Sequence, residues 1–346
     1  MGLQIREIIP KSAVSAVSLD SFKGTVVAVD AFNALYQFLA TIRQQDGTPL
    51  MDSAGKVTSH LSGIFYRNIR LLEAGARIVY VFDGKAGAEK AETIRKREET
   101  KKKAEEKYEA AVEEGDLESA RKYAQATSRL DTQMIEEAKS LLKAMGIPVV
   151  NAPSEGESQA SFLAKEGKAN FAASQDYDCL LFGAPILVRN LSATSRRRAP
   201  GGKYVEVPIE AIELAKVLEG LKLDREQLVA LGILVGTDYN PGGIKGIGPK
   251  KALNLIESEK TFERIFKQVS DKWTFGITPE EIRELFLNPK VDSSVEIGEE
   301  TLDSAKIKEI LCGKHEFSAE RIDSSLSKLQ SIVSESKKQK GLNEWF

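Results

Sequence analysis

Residues 25–30 and 77–83, TVVAVD and RIVYVFD, are short apolar runs that each end in an aspartate. Three further stretches repeat this pattern and also end in acids: PVVNAPSEGE at 148–157, FAASQDYD at 171–178 and LVGTD at 234–238. Their length and composition predict buried parallel strands, although LVGTD also fits the end of a helix. The helical patterns between the runs predict an α/β fold with a central, mostly parallel sheet flanked by helices.

The acids at the ends of these runs are predicted to meet in one cleft. Ligand sites of open α/β sheets lie beyond the carboxyl ends of the strands, which is where these side chains stand. The candidate set comprises seven carboxylates: Asp30, Asp83, Glu155, Glu157, Asp176, Asp178 and Asp238. Together they would repel one another, and two Mg²⁺ ions, or Mn²⁺, would remove that conflict.

The alternative is that each acid begins a turn or caps the next helix, as aspartates after strands commonly do. A cap needs only one oxygen atom, yet two runs carry doublets, Glu155-Gly-Glu157 and Asp176-Tyr-Asp178. Residues two apart in an extended segment point to the same side, so each doublet could offer two carboxylates to one ion. The doublets therefore favour a metal site.

The composition of the 346-residue chain is that of an ordinary globular protein, with 42% hydrophobic and 29% charged residues. No apolar stretch approaches the roughly 20 residues of a membrane span, and no signal peptide is recognisable, so a cytoplasmic protein without membrane contact is expected. Two cysteines and two histidines argue against a disulfide framework, a zinc–thiolate site or a histidine base. The net charge of −2 means that nucleic-acid binding would depend on local basic patches.

A charged segment from Lys85 to about Leu130 interrupts the α/β pattern. It is rich in helix formers but lacks a wide apolar stripe, which is typical of a solvated helix that does not rest on a core. Lys90 and Arg97 lie seven residues apart and therefore share one helix face. Over an acidic metal cleft, that face could hold a phosphodiester.

Two further segments suggest partners. In residues 246–251, GIGPKK, two glycines precede a proline, which predicts a helix N-terminus that binds phosphate through backbone N–H groups without reading base sequence. Residues 339–346, QKGLNEWF, follow a polar stretch and would gather three apolar side chains in one helical turn. Such a terminus is typical of a docking peptide, although a tail folded back on its own domain is the alternative.

These blocks together resemble the flap endonucleases of archaea and eukaryotes, nearly from end to end. The resemblance is carried, in family order, by VDAFNALYQF, YRNIRLLEAG, YVFDGK, PSEGESQA, SQDYDCLLFG, GTDYNPGGIKGIGPKKAL and QKGLNEWF. It implies a PIN-like, XPG-type nuclease fold with a helical arch and a helix-two-turn-helix DNA-binding element. The implied activity is metal-dependent cleavage of 5′ flaps, with 5′–3′ exonuclease activity, in Okazaki fragment maturation and DNA repair.

The resemblance also implies roles for single residues. Asp30, Asp83, Glu155 and Glu157 would bind one metal ion, and Asp176, Asp178 and Asp238 the other. Lys90 and Arg97 correspond to the catalytic basic pair of the family. The DNA-binding set begins with Tyr36, on which a nucleotide would stack, and continues with Arg67, Arg70, Gly246, Gly248, Lys250, Lys251, Phe317 and Arg321.

Three details complete these expectations. The pocket for a 3′ flap departs from the family pattern at Ala319, where an acid is usual. The resemblance also implies that a monovalent cation could bind at the helix-two-turn-helix. The tail would bind the sliding clamp, PCNA, through Gln339, Leu342, Trp345 and Phe346. Because the chain stops at this peptide, an archaeal member of the family is expected. The protein is also expected to be a monomer apart from the clamp.

The predicted organisation has five parts: an N-terminal nuclease region (1–100), an arch (101–130), an internal nuclease region with the helix-two-turn-helix (131–260), a C-terminal helical region (261–335) and a clamp-binding tail (336–346). Two other functions stay open, a related nuclease for bubbles or four-way junctions and a non-catalytic, clamp-tethered DNA-binding scaffold. The compact insert favours the flap enzyme. The acids argue against a scaffold, because negative charge near phosphate weakens binding.

Overall fold

A seven-stranded sheet lies at the centre of the fold, with strand order β1-β9-β6-β5-β2-β3-β4. The computed structural model describes residues 3–44, 47–84, 91–113, 123, 129–191, 196–198, 204–298 and 300–343. The sheet strands are β1 (Val14–Val17), β2 (Val26–Asp30), β3 (Arg77–Phe82), β4 (Val149–Asn151), β5 (Phe171–Ala173), β6 (Ile186–Arg189) and β9 (Ile209–Glu213). Strands β2 to β6 pair in parallel, whereas β9 runs antiparallel to both β6 and β1. A separate hairpin joins β7 (Arg196–Arg198) to β8 (Tyr204–Glu206).

Helices cover the sheet. In chain order they are α1 (Ala31–Thr41), α2 (Ser59–Glu73), α3 (Ala91–Glu113), α4 (Thr132–Ala144), α5 (Gly156–Lys165), α6 (Asp178–Leu181), α7 (Leu214–Leu221), α8 (Arg225–Val235), α9 (Pro249–Glu259), α10 (Phe262–Lys267), α11 (Pro279–Leu287), α12 (Ser304–Lys308) and α13 (Ala319–Asn343). A π-helical turn (Glu309–Lys314) follows α12, and single 3₁₀ turns are Lys11–Ala13, Leu19–Phe22 and Ser270–Lys272. None of the described helices combines the length and apolar character required to cross a bilayer.

Two apolar layers hold the helices on opposite faces of the sheet. Within β3, Val79 and Val81 pack in one layer while Ile78, Tyr80 and Phe82 pack in the other. This alternation follows from the two-residue period of a strand, and burial on both faces explains why the run is continuously apolar. The predicted α/β fold with a mostly parallel sheet is therefore confirmed.

The LVGTD run is not a strand. Its first two residues end helix α8, and Gly236 then adopts φ +115°, which leads the chain into the turn that carries Asp238. A Cβ atom on residue 236 would lie 2.5 Å from the backbone nitrogen of Gly243, so the close return of the chain admits only glycine. The reading of this run as a helix end is the correct one.

Candidate active site

Asp30 and Asp83 mark the carboxyl ends of the central strands. Asp30 closes β2, and its Oδ1 accepts a hydrogen bond from the Asn33 N–H at 3.1 Å, so it also caps helix α1. Asp83 follows β3 and accepts a hydrogen bond from the Gly156 N–H at 2.6 Å. A Cβ atom on residue 156 would lie only 2.8 Å from that Asp83 oxygen. The glycine between the two glutamates thus allows α5 to begin directly against Asp83.

The prediction of an extended glutamate doublet is wrong. The doublet stands at the start of α5. Glu155 is the N-cap residue and Glu157 lies in the first turn. Glu155 accepts a hydrogen bond from the Tyr239 hydroxyl, and Glu157 accepts one from Ser174 Oγ at 2.6 Å. A helix N-terminus carries partial positive charge, so it stabilises acids placed there.

The aspartate doublet follows β5 in a tight bend, and Asp178 is the first residue of the short helix α6. Asp176 Oδ1 accepts a hydrogen bond from the Leu3 N–H at 3.0 Å, while the Asp176 N–H donates to Ser174 Oγ at 3.1 Å. The extended geometry expected for this doublet is therefore also wrong. The bend arises because β5 ends at Ala173, three residues before the first aspartate.

Ser174 joins the acids of two neighbouring strands. Its hydroxyl donates to Glu157 and lies 3.4 Å from Asp30 Oδ2, while its oxygen accepts from the Asp176 backbone. Asn33 adds a second tie, since its Oδ1 accepts the Gln175 N–H at 3.0 Å. Sequence reasoning missed both residues, although each stands within three positions of a candidate ligand.

The pKa values report how close the acids lie. Burial, followed by the charge of Asp83, raises the pKa of Asp30 to about 7. Burial and then the charges of Asp176, Asp30 and Asp178 raise the pKa of Glu157 well above its ordinary value. Burial and the charge of Asp238 likewise raise the pKa of Asp176. These shifts place the acids of separate strands in one electrostatic cluster.

Tyr239 connects the remaining acid to this cluster. Burial raises the pKa of its hydroxyl, and so do the charges of Glu155, Asp178 and Asp238. All seven predicted ligands are therefore near neighbours at one edge of the sheet. In this conformation, however, no three acid, histidine or cysteine side chains among the described residues are arranged so that they could hold a metal ion. Several of the carboxylates are turned instead toward internal donors, namely the Tyr239 and Ser174 hydroxyls and the Gly156 N–H.

The chemistry of this donor set fits hard divalent cations. Every candidate ligand is a carboxylate, and oxygen ligands are those that Mg²⁺ and Mn²⁺ prefer. The raised pKa values indicate repulsion among acids that bound cations would relieve. Cys179 is the nearest thiol, and burial raises its pKa well above the ordinary value, so it does not supply a thiolate.

The basic catalytic pair and the tail fall largely outside the described part of the chain. Lys90, Trp345 and Phe346 lie outside the described residues, as do the side chains of Arg97, Gln339 and Leu342. Their predicted roles stay predictions.

Tyr36 stands on α1, one turn beyond Asn33, with 37% of its surface exposed. The Lys101 ammonium of α3 lies 5.0 Å from the centre of its ring, within the range of a cation–π contact. The ring is thus partly exposed on the helix that Asp30 caps, next to the middle of the charged helix α3.

The predicted duplex-binding glycines line one groove. Gly246 adopts φ +84°, Gly248 is the N-cap of α9, and Pro249 begins that helix. The groove has a volume of about 440 Å³, and its lining includes all four predicted residues, Gly246, Gly248, Lys250 and Lys251. Lys251 donates to the Gly246 carbonyl at 3.0 Å, which holds the turn against the helix.

The other predicted DNA contacts are spread over α2 and the start of α13. Arg70 is exposed, whereas Arg67 is half-buried with its guanidinium 5.7 Å from the Phe38 ring, and burial lowers its pKa. Arg321 lines a groove of about 640 Å³ together with Tyr66 and several hydroxyl-bearing residues. Phe317 is packed partly against the apolar layer beneath.

Comparisons with known proteins agree with this geometry. Two family models match the chain, the XPG N-terminal domain over residues 1–104 and the XPG I-region over residues 146–238. Flap endonuclease 1 of Hyperthermus butylicus is 51% identical over 349 residues, which cover 100% of this chain and 99% of that protein. The chain belongs to the flap endonuclease 1 family.

Solved structures place this family member among nucleases of the same fold. Flap endonuclease-1 from Methanococcus jannaschii aligns with a TM-score of 0.77 at 39% identity and covers 97% of this chain and 100% of that chain. The catalytic core of Rad2 in complex with DNA aligns with a TM-score of 0.69 at 24% identity, covering 95% and 100% of the two chains, which shows a shared fold alone. The expected XPG-type fold and the expected function of a structure-specific flap endonuclease are confirmed, and this flap endonuclease is a phosphodiester-hydrolysing enzyme.

Proposed function

We propose that this flap endonuclease cuts 5′ flaps where single-stranded and duplex DNA meet, using two divalent metal ions held by the seven carboxylates. The observation that carries the proposal is the convergence of acids from β2, β3, α5, the β5–α6 bend and the α8 end at one edge of the sheet. A 5′–3′ exonuclease activity belongs to the same proposal, since both reactions hydrolyse the same bond.

The electrostatic links agree with the predicted division of the ligands at two acids. Asp83 is the charge with the largest effect on Asp30, and Asp238 is the charge with the largest effect on Asp176. Glu157 is affected most by Asp176, so the two groups are in contact with each other. Following the family resemblance, we assign Asp30, Asp83, Glu155 and Glu157 to one Mg²⁺, or Mn²⁺, and Asp176, Asp178 and Asp238 to the other. When bound, the ions would supply the positive charge that phosphodiester hydrolysis requires.

The protein's own residues would bind and orient the substrate. Tyr36 offers an exposed ring on which a base can stack next to the acids, a contact that tolerates any sequence. The groove at Gly246 and Gly248 offers backbone donors at a helix N-terminus to duplex phosphates, and a monovalent cation would fit the same proposal. Lys90 and Arg97 would neutralise charge on the scissile phosphate.

Substrate choice separates this proposal from its nearest alternative, a nuclease for bubbles or four-way junctions. Identity of about half of all residues with flap endonuclease 1, against 24% with the Rad2 core, favours the flap substrate. A non-catalytic scaffold is disfavoured because a cluster of buried acids repels phosphate and costs folding energy. The proposal also includes a partner and a location. Residues 339–346 would bind a sliding clamp, and the protein would be a monomer apart from that clamp and cytoplasmic.

The test is Asp176→Asn, which keeps the acceptor for the Leu3 N–H but removes the carboxylate charge. Single-turnover cleavage of 5′-flap, bubble and four-way DNA is measured with Mg²⁺ and with EDTA, and DNA binding is measured by fluorescence anisotropy in EDTA. We expect wild-type protein to prefer the flap and the variant to lose about 100-fold or more in rate with binding retained, since metal ions contribute several kcal/mol to such reactions.

The matched control is Asp271→Asn, which removes an exposed aspartate on a distant 3₁₀ turn. Its cleavage rate should equal that of the wild type. Full turnover by Asp176→Asn, or equal cleavage of the three substrates by the wild type, would contradict the proposal.

A further inference from the structure

The bend at residues 174–178 carries two of the candidate metal ligands and must hold them in place against their mutual repulsion. On the side of the acids it is tied by Ser174 and by Asn33, which accepts the Gln175 N–H at 3.0 Å. A bend of this kind lacks the ladder of hydrogen bonds that stiffens a strand or a helix. The opposite side of the bend therefore needs a separate support.

Arg189, the last residue of β6, provides that support. Its Nε donates to the Gln175 carbonyl at 3.2 Å, and its Nη1 donates to the Tyr177 hydroxyl at 2.5 Å. The guanidinium carbon also lies 4.2 Å from the centre of the Tyr177 ring. Arg189 thus contacts both residues that flank Asp176 without contacting the aspartate itself.

Glu210 fixes Arg189 from the neighbouring strand. The two residues are register partners across the β6–β9 pair, and Arg189 Nη1 lies 3.4 Å from Glu210 Oε2. The Glu210 side chain is 10% exposed, and Arg6 donates to it twice, at 2.6 and 3.0 Å. One buried carboxylate is therefore shared by two guanidinium groups, which offsets the cost of burying it.

The N-terminal segment connects this network back to the acids. Arg6 holds Glu210, and three residues earlier the Leu3 N–H donates to Asp176 Oδ1. Arg189 therefore donates hydrogen bonds to Gln175 and Tyr177 of the bend, and Leu3 donates one to Asp176. These contacts join residues between 12 and 204 positions apart in sequence, so they depend on the folded sheet.

We propose that Arg189, held by Glu210 and Arg6, is a positioning residue that fixes the Gln175–Tyr177 bend so that Asp176 and Asp178 are preorganised for metal binding. The inference rests on the proposed metal-dependent function. An arginine that served only to pair Glu210 would have no need of bonds to the Gln175 carbonyl and the Tyr177 hydroxyl. Groups behind metal ligands commonly change metal affinity by about 10- to 100-fold when they are removed.

The experiment measures Mn²⁺ binding to full-length protein without DNA, using the electron paramagnetic resonance signal of free Mn²⁺. We expect Arg189→Met to weaken Mn²⁺ binding about tenfold. Arg189→Lys and Tyr177→Phe should give smaller losses, because the first keeps the charge without the fork of donors and the second keeps the ring without the hydroxyl. Flap-DNA binding in EDTA should stay unchanged in all three variants.

The control is Arg283→Met. Arg283 also lies between carboxylates, Glu226 at 3.0 Å and Glu263 at 3.6 Å, and over an aromatic ring, but in the α8–α11 layer away from the acids. The Arg283→Met substitution should lower the thermal midpoint of the protein without changing its Mn²⁺ affinity.

Each result decides the inference. If Arg189→Met folds and its Mn²⁺ affinity is unchanged, Arg189 has a purely structural role. If Arg189→Met does not fold, unchanged Mn²⁺ affinity in Arg189→Lys and Tyr177→Phe leads to the same conclusion. An equal loss in Arg283→Met would show that general destabilisation causes the effect. Wild-type protein that binds no Mn²⁺ would overturn the metal assignment itself, which is a distinct outcome.

Discussion

Asp30 is buried among other acids and holds its proton more strongly than an ordinary aspartate. Its pKa of about 7 has burial as the main cause and the charge of Asp83 as the second. The same residue caps α1 through its hydrogen bond with the Asn33 N–H. The cap interpretation of this acid is therefore confirmed, and it leaves the predicted metal role open because Oδ2 faces a different neighbour, Ser174.

The sign of this shift predicts how the metal-free protein depends on pH. The folded-state pKa lies above the ordinary value of 3.8, so the folded state binds the proton more tightly than the unfolded state does. The favourable contribution is complete below pH 3.8 and is lost as the pH rises toward 7. Above pH 7 the ionised Asp30 opposes folding.

We accordingly expect Asp30→Asn to raise the thermal midpoint in EDTA at pH 8 and to have a much smaller effect at pH 4. The asparagine keeps the oxygen that caps α1 while removing the buried charge. The gain should be about 4 kcal/mol at most, since the pKa rises from 3.8 to about 7 and each pKa unit corresponds to about 1.4 kcal/mol. Thermal unfolding followed by circular dichroism from pH 4 to 8 measures it, and a variant that is destabilised equally at both ends would contradict the argument.

At the scale of secondary-structure elements, the short strands limited what the sequence could predict. β2 and β3 have five and six residues and read clearly as buried strands, and they end at the predicted acids. β4 and β5 have only three residues each, so both strands end before the chain reaches Glu155 or Asp176. The acids nevertheless lie in one cluster, because a helix start and a bend can face the same cleft as a strand end.

Contacts between distant elements could not be predicted from periodicity or motifs. Ser174 and Asn33 lie inside quoted motifs, but their roles depend on the β2–β5 pairing, which brings together residues more than 140 positions apart. Arg189 and Glu210 similarly appear as unremarkable charges near strand ends until β6 and β9 pair. Such tertiary hydrogen bonds leave no local signal.

The placement of helix α5 gives a prediction at this scale. An alanine at residue 156 would bring its Cβ to 2.8 Å from both Asp83 Oδ1 and the Val81 carbonyl oxygen, so α5 would have to shift. Because Glu155 and Glu157 stand on its first turn, we expect Gly156→Ala to reduce the flap-cleavage rate by about tenfold or more, since small misplacements of positioned groups cost that much.

The rate is measured under single-turnover conditions at saturating Mg²⁺, with the thermal midpoint as a check on folding. Gly276→Ala is the control, since a Cβ there meets no atom within 4 Å. Wild-type cleavage by Gly156→Ala would show that the start of α5 tolerates the displacement.

At the scale of the whole molecule, the net charge is only −2, so DNA must be attracted by local basic side chains rather than by the surface as a whole. The candidate ligands lie at one edge of the sheet, while Lys250 and Lys251 line the groove at α9 and Lys101 stands on α3. DNA would be attracted by the basic regions and admitted to the acids only where cations neutralise them. This arrangement would make cleavage depend on the proposed metal ions in a protein that is not basic overall.

The last helix separates the tail from this catalytic core. Ile322, Leu326 and Leu329 are buried at helical spacing, but the positions from Gln330 to Ser334 are exposed or half-exposed. Helix α13 continues to Asn343, about 20 Å beyond Leu329, the last of its buried side chains among those described up to Ser334. The prediction of a docking peptide at residues 339–346 stays a prediction.

We expect replacement of Trp345 and Phe346 by alanine to abolish binding to the sliding clamp while leaving clamp-independent flap cleavage within about twofold of wild type. Aromatic anchors commonly contribute about 2 kcal/mol or more each to such interfaces, so their joint removal should cost at least 100-fold in affinity. Isothermal titration with purified clamp measures the loss, and Asn343→Ala with Glu344→Ala is the control at neighbouring polar positions. Reduced cleavage without the clamp would instead favour a tail that packs against the nuclease itself.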